Sequence, residues 1–377
     1  MDEKLKKVML IVVGCFVVLF LFLFLLSSCQ KKYEPFELEL EIADEARKYY
    51  ERHTEELPGD GDMMKLTLQD LVLKEIIPEV EKMLDKDTTC TGTLTIENNN
   101  DYYMYSPSIT CTDGFDNYLT KNLSEELLDN VVTSGNGLYA VASYKEGETK
   151  HYFKGDNVNN ILIFDGLRWR IVGVNEDGTV RIVEEKKRQA VEWDDRYNNE
   201  KGGNLGINDF VQNGVNSRIL DVLNEIYETE NVLSNNAKGY IRKTDLCIGK
   251  RSEAETSNNG SVECSNILEN QYIGLIQFNE YLLSSLDPNC TSTMSDSCKN
   301  YNYMANFENS YWTLTADSSN TNKVYKISTT PTLSNAKSSA MPRMVINLSE
   351  NTNVSGSGTE EDPYIVSGFD SELKELD

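Results

Sequence analysis

The feature that most limits this chain is an apolar run from Val8 to Leu26 without a single charge, preceded by Lys4, Lys6 and Lys7. About 20 apolar residues at 1.5 Å each cover a hydrocarbon core of roughly 30 Å, so the run is long enough for a transmembrane helix. Burying it in a soluble core would need a larger all-helical domain than the rest of the sequence offers. The lysines precede the run, and acidic residues follow it from Glu34 onward. Positive charge stays on the cytoplasmic side, so the C-terminal bulk is expected outside the cytoplasm. The run closes on Leu26-Ser27-Ser28-Cys29, which reads two ways. A basic start, an apolar stretch and small residues before a cysteine make an export signal whose cleavage leaves Cys29 as a lipid-bearing N-terminus. The run exceeds the roughly 7–15 residues usual for such a signal, which favours an uncleaved span with Cys29 as an interfacial thiol. In both cases the expected location is the cell membrane, single-pass or lipid-anchored.

Charge narrows the partners. The 377 residues carry 36 Lys+Arg against 61 Asp+Glu, a formal net charge of -25. Such a surface repels phosphate backbones, so no nucleic-acid partner is expected. Eight cysteines are present. Cys15 lies in the apolar run and Cys29 at its edge, and the other six fall in sequential couples: Cys90 with Cys111, Cys247 with Cys264, Cys290 with Cys298. In an exported chain an even set of this kind reads as disulfides. Six cysteines allow about 15 connectivities, and local geometry favours the nearest-neighbour one. Its best support is the first couple. Thr91–Glu97 and Tyr102–Thr110 alternate like two strands around Asn98-Asn99-Asn100-Asp101, which brings Cys90 and Cys111 opposite each other at the open end of a hairpin. Zinc is not expected: no couple has the C-x-x-C spacing, and only His53 and His151 could assist.

The expected fold class is α+β, in five parts. Residues 1–29 are a basic stub and anchor, 30–36 a linker broken by Pro35, and 37–125 a small helix-and-hairpin stalk domain. Residues 137–366 form a larger mixed domain and 367–377 an acidic tail. In the small domain, apolar positions recurring from Ile42 to His53 predict a helix over 39–57. A second helix is expected from Thr67, where Thr67 and Asp70 have capping-box spacing. Residues 117–135 read as a short helix and linker with Ser124 as N-cap. Beyond Gly137 strands dominate. Asp165-Gly166 and Asp177-Gly178 between apolar runs predict a three-stranded meander ending at Glu184. A helix is expected over Ser217–Tyr227, and strands at Tyr311, Val324 and Met344.

The first module, a membrane segment followed by a helix on a cysteine-closed sheet, loosely resembles pilin-type Gram-positive surface proteins over residues 36–125. It lacks the Phe-Thr-Leu-Ile-Glu-like start of prepilins. The second carries Phe164-Asp-Gly-Leu-Arg-Trp-Arg-Ile-Val-Gly, Trp193, the Ser217-Arg-Ile-Leu helix, Ile273-Gly-Leu-Ile, Tyr311-Trp312 and Met341-Pro-Arg-Met-Val-Ile-Asn-Leu. In this order they resemble an uncharacterised domain of Firmicutes surface proteins, itself similar to C-type-lectin-like and sulfatase-modifying-factor folds. The Pro342-Arg343 order departs from the Arg-Pro of that domain. The resemblance implies irregular, disulfide-trimmed loops displaying a binding surface. Trp193, in a polar setting, is a candidate ligand-facing residue, whereas Trp169 and Trp312 sit in apolar strands and read as core.

Catalytic signatures are missing: no H-E-x-x-H, G-x-S-x-G or Walker loop occurs. Two histidines leave little general-base capacity. Ser334 and Lys337 match S-x-x-K without its partner motifs. Sulfatase-modifying enzymes use a reactive cysteine pair, and Cys290 and Cys298, whose spacing does not match, read better as a structural bridge. Asp194-Asp195 and Glu360-Glu361-Asp362 lack calcium-loop spacing and read as solvated surface. The expectation is therefore a non-enzymatic, membrane-anchored surface protein without cofactor or metal, binding a glycan or a surface protein through its C-terminal domain. A pilin-like or envelope spacer and an extracytoplasmic enzyme of the sulfatase-modifying-factor type are the alternatives.

Overall fold

The computed structural model describes residues 32–374 apart from 86, 114–116, 187, 230–231 and 329. The apolar run, Cys15 and Cys29 lie outside the described residues. No helix among the described residues is long and apolar enough to cross a membrane.

The fold is mixed α+β. The first helix, α1 (Pro35–Tyr50), begins at the proline expected to break the linker. Proline suits the first helical position because its missing N–H would have no partner there and its φ is already helical. The Glu34 N–H donates to the Glu37 carboxylate at 3.1 Å and closes the first turn. Leu38, Ile42, Ala43, Ala46 and Tyr50 form the buried face. The helix stops seven residues before the expected Leu57, where His53 stacks on Tyr49 and a single 3-10 turn, Thr54–Glu56, follows.

A strand missed in the sequence comes next, β1 (Met63–Thr67), and runs directly into α2 (Leu68–Leu73). Thr67 caps α2 as expected. Its hydroxyl accepts from the Asp70 N–H at 3.1 Å, and the Asp70 carboxylate accepts from the Thr67 N–H at 2.8 Å. After the short α3 (Val80–Met83), the long hairpin β2 (Thr89–Asn99) and β3 (Tyr102–Thr112) pairs Cys90 with Cys111 in register, and the two are bridged. With β4 (Asn117–Leu119) the sheet order is β1-β2-β3-β4.

The chain enters the second sheet through β5 (Lys121–Asn122), followed by α4 (Leu123–Asp129). Asn122, not Ser124, is the N-cap: its side chain accepts from the Glu125 N–H at 3.0 Å, while Ser124 is buried. β6 (Gly137–Ala142) and β7 (Thr149–Lys154) lead to the expected meander of β8 (Ile161–Phe164), β9 (Leu167–Val174) and β10 (Val180–Glu184). Asp165 and Gly166 both take positive φ, 51° and 68°, as the twist-matched two-residue hairpin turn requires. Helix α5 (Arg218–Glu228) matches the helix expected over Ser217–Tyr227, with Ser217 as its N-cap, and is followed by α6 (Asn235–Tyr240) and α7 (Phe278–Leu283). A smaller sheet is built on β11 (Tyr311–Asp317), β12 (Lys323–Ile327) and β13 (Pro331–Asn335). The chain then returns through β14 (Val345–Leu348), β15 (Asn353–Ser355) and β16 (Tyr364–Val366). The order of the large sheet is β14-β10-β9-β8-β16-β15-β5, with β7 also against β9 and β6 against β7.

Two separate apolar clusters form, one under α1 and the first sheet, one around the large sheet. The hairpin β2–β3 lies between them, and polar contacts knit the seam. The Tyr240 hydroxyl donates to the Tyr105 carbonyl, and Asn353 donates to the Ser106 hydroxyl at 3.1 Å. Glu97 pairs with Arg242 at 2.6 Å. A Cβ at Gly239 would lie 2.3 Å from the Tyr103 carbonyl, so only glycine lets α6 ride this close on β3. Residues 367–369, expected to open an acidic tail, complete the seam instead: Ser367 is buried, and the Phe369 ring meets Phe164 and Tyr240 at 4.9 and 5.1 Å.

Candidate functional site

The three couples of cysteines are bridged as their spacing suggested, Cys90–Cys111, Cys247–Cys264 and Cys290–Cys298. Three disulfides fit an oxidising, extracellular setting. They also leave no free thiol among the described residues, and Cys298 is fully buried.

The ligand-facing expectation for Trp193 is corrected. Its ring is 0 % exposed, packs on Phe210 at 5.8 Å between centroids, and donates its indole N–H to the Thr313 carbonyl at 3.2 Å. The polar neighbour that suggested exposure, Asp194, is itself buried. Its carboxylate takes the Arg196 guanidinium at 2.9 and 3.0 Å and the Ile207 N–H at 2.6 Å. With its lone pairs occupied, the carboxylate sits inside without an unpaired charge. Trp169 and Trp312 are core, as expected. Of the other acidic run, Glu360 pairs with Arg168 at 2.6 Å. No group of three or more His, Cys, Asp or Glu is placed to hold a metal among the described residues.

What the structure brings together instead is an amide-rimmed cleft of about 340 Å³ where α4, β6, β7 and β16 meet. Leu127, Leu138, Phe153, Val158 and Tyr364 supply an apolar floor. Asn130, Asn136, Asn157 and Asn159 stand around it, all four exposed. Two loops build the rim and interlock. The loop 155–160 is pinned by Asn160, which is fully buried and donates its side-chain amide to the Ile171 carbonyl at 2.7 Å, while its own carbonyl accepts from the Ile171 N–H at 2.7 Å. Opposite, Gly358 at φ +77° lies against the Tyr364 ring, where a Cβ would come within 2.5 Å of the ring and 2.7 Å of the Asn159 carbonyl.

The cleft is close to neutral. Its one carboxylate, Glu126, is paired with Lys121 at 2.5 Å, and the Lys121 ammonium also lies 5.9 Å from the Tyr364 ring centroid. Burial pushes the Tyr364 phenol up to about 12, so it stays a protonated donor at physiological pH. The side chains of Asn136, Asn157 and Asn159 make no hydrogen bond among the described residues, and each offers a donor and an acceptor to a ligand. No sequence motif marks this site. Asparagine in a loop reads as turn chemistry, and the floor is completed by Tyr364, more than 200 residues beyond Asn159.

A second cleft, about 320 Å³, has two ion pairs in its lining. Arg181 holds Glu280 through two bonds of 2.5 and 3.1 Å, and Lys150 holds Glu176 at 3.3 Å. Next to its wall, burial lowers the pKa of half-buried His151 and favours the neutral imidazole. Compared with known proteins, the chain matches no family model, no curated protein and no solved structure.

Proposed function

We propose that this is a membrane-anchored, extracytoplasmic recognition protein that binds a neutral glycan in the amide-rimmed cleft, without catalysing a reaction. The observation that carries the reading is the pairing of an apolar floor with free amides and a neutralised carboxylate. Sugars present adjacent hydroxyls beside a C–H face. Amides that donate and accept match the hydroxyls, and an apolar floor takes the C–H face. A charged ligand would find no unpaired counter-charge in this cleft. The resemblance of residues 137–366 to lectin-like domains points to the same class of ligand. The three disulfides and the charged-then-apolar N-terminus support an exported, anchored location.

The test is a glycan array probed with the detergent-solubilised chain, followed by titration of any hit against Asn157→Ala and Asn159→Ala. Both side chains are exposed and make no hydrogen bond among the described residues, so the variants keep the fold and lose affinity at least tenfold. Binding that is indifferent to both substitutions places the ligand elsewhere, and turnover of a substrate by the wild-type chain rejects the non-enzymatic reading.

A further inference from the structure

The small sheet has an edge that no strand among the described residues closes. Strand β1 pairs with β2 only over residues 93–97 of β2. At Thr67 the chain turns into α2, so Thr89–Gly92 have a strand neighbour on the β3 side and, among the described residues, none on the other. Backbone groups on such an edge lack ladder partners, and most proteins cover or blunt them. Here the edge is held in place. The Cys90–Cys111 bridge ties it to β3, and the Thr89 and Thr112 hydroxyls are 3.0 Å apart at its end.

Facing the edge is a slot of about 540 Å³ whose other wall is α2 and α3. Leu68, Val72 and Val80 give it an apolar side, and Glu79 and Glu81 stand exposed at its rim. Glu79 has only an exposed partner, Lys82 at 2.8 Å, and Glu81 has no ion pair among the described residues. Four open residues accept a strand of about four residues, roughly 13 Å long. We propose that this slot is a strand-acceptor site for an extended basic segment of a partner protein, with alternate residues apolar toward α2 and lysine or arginine toward the acidic rim. Backbone bonds would give the affinity, and the apolar wall and the rim would give the choice of sequence. The net charge of -25 favours a basic partner over a second copy of this chain.

The probe is an acetylated and amidated hexapeptide alternating lysine and valine, titrated against the solubilised full chain by fluorescence anisotropy, with amide hydrogen exchange as the structural readout. The expected result is saturable binding with slowed exchange confined to residues 89–92. The same peptide with glutamate for lysine, or with a central proline, should bind at least tenfold more weakly. The double variant Glu79→Lys/Glu81→Lys, both surface positions, should weaken the lysine peptide at least tenfold while leaving the thermal midpoint unchanged. Equal binding of the acidic peptide, no protection at 89–92, or concentration-dependent self-association abolished by the same variant would overturn the proposal.

Discussion

Glu39 is the residue on which stability should turn with pH. It sits on α1 facing the seam, 1 % exposed, with Tyr118 of β4 and Ser367 after β16 as its nearest hydroxyls. Its Oε1 has no well-formed hydrogen bond. Tyr240 of α6 also feels its charge, and Arg47, a cation on the same helix, is paired with Asp44 at 2.8 Å. Burial without a counter-ion therefore raises its pKa from 4.5 to about 8, and the two hydroxyls pull it back only in part. Between these two values the folded chain holds a proton that the unfolded chain has released, so stability falls as pH rises. The contribution is fully present below pH 4.5, shrinks by about 1.4 kcal/mol per unit, and is lost once pH passes about 8. At pH 7 the loss is about 3 kcal/mol.

Glu39→Gln keeps the shape and removes the titration. Its unfolding free energy should exceed that of the wild type by about 3 kcal/mol at pH 7 and by almost nothing at pH 4. For a chain of this size that is a rise in Tm of about 4 °C. Urea titrations of both proteins at pH 4.5, 6, 7 and 8.5 would measure the gap. A gap that stays constant over this range, or one that closes toward high pH, would refute the account, because it would mean that Glu39 is ionised in the folded chain.

Two further substitutions test the burial of polar and aromatic groups in the large domain. Trp193→Ala should cost about 3–5 kcal/mol in chemical denaturation, as truncation of a core aromatic does, while the folded fraction keeps its ligand affinity. Loss of affinity without loss of stability would restore the ligand-facing role. Arg251 and Glu263 form a fully buried pair at 2.7 and 3.3 Å beside the Cys247–Cys264 bridge. Arg251→Met strands the Glu263 carboxylate and should destabilise the protein by about 3–5 kcal/mol, measured the same way.

Sequence reading succeeded where structure is set over short separations. The hairpin around Asn100, the three bridges, the Asp165-Gly166 turn, the Thr67 cap and the helix after Ser217 each depend on residues within a few positions, or on strands folded straight back. Errors arose where one local signal had two outcomes. Pro35 can end a segment or start a helix. Asn122 and Ser124 are both capping residues two positions apart, and only burial of Ser124 decides between them. Met63–Thr67 alternates for just five residues before the helix begins, too short a run to stand out as a strand. Trp193 misled for a further reason. Polar neighbours signal exposure only when they are solvated, and Asp194 is satisfied by protein atoms instead.

The stalk reading shows the same limit at the level of domains. Two apolar clusters do form, one on each side of the hairpin, and hydropathy patterns could anticipate that much. What relates the two is a seam of directional contacts between residues far apart in the chain. Examples are Asn99 to the Ile241 carbonyl, Ser349 to Glu97 at 3.1 Å, and Asp101 to the Tyr272 hydroxyl at 2.5 Å. Polar pairs of this kind leave no periodic trace, because each partner alone looks like a solvated loop residue. Their mechanical consequence is specific. Apolar faces can slide at little cost, whereas a hydrogen-bonded seam with a helix pressed on a strand backbone at Gly239 has one register. The cleft on the large sheet and the slot on the small one thus lie on sheets joined through one register of the β2–β3 hairpin.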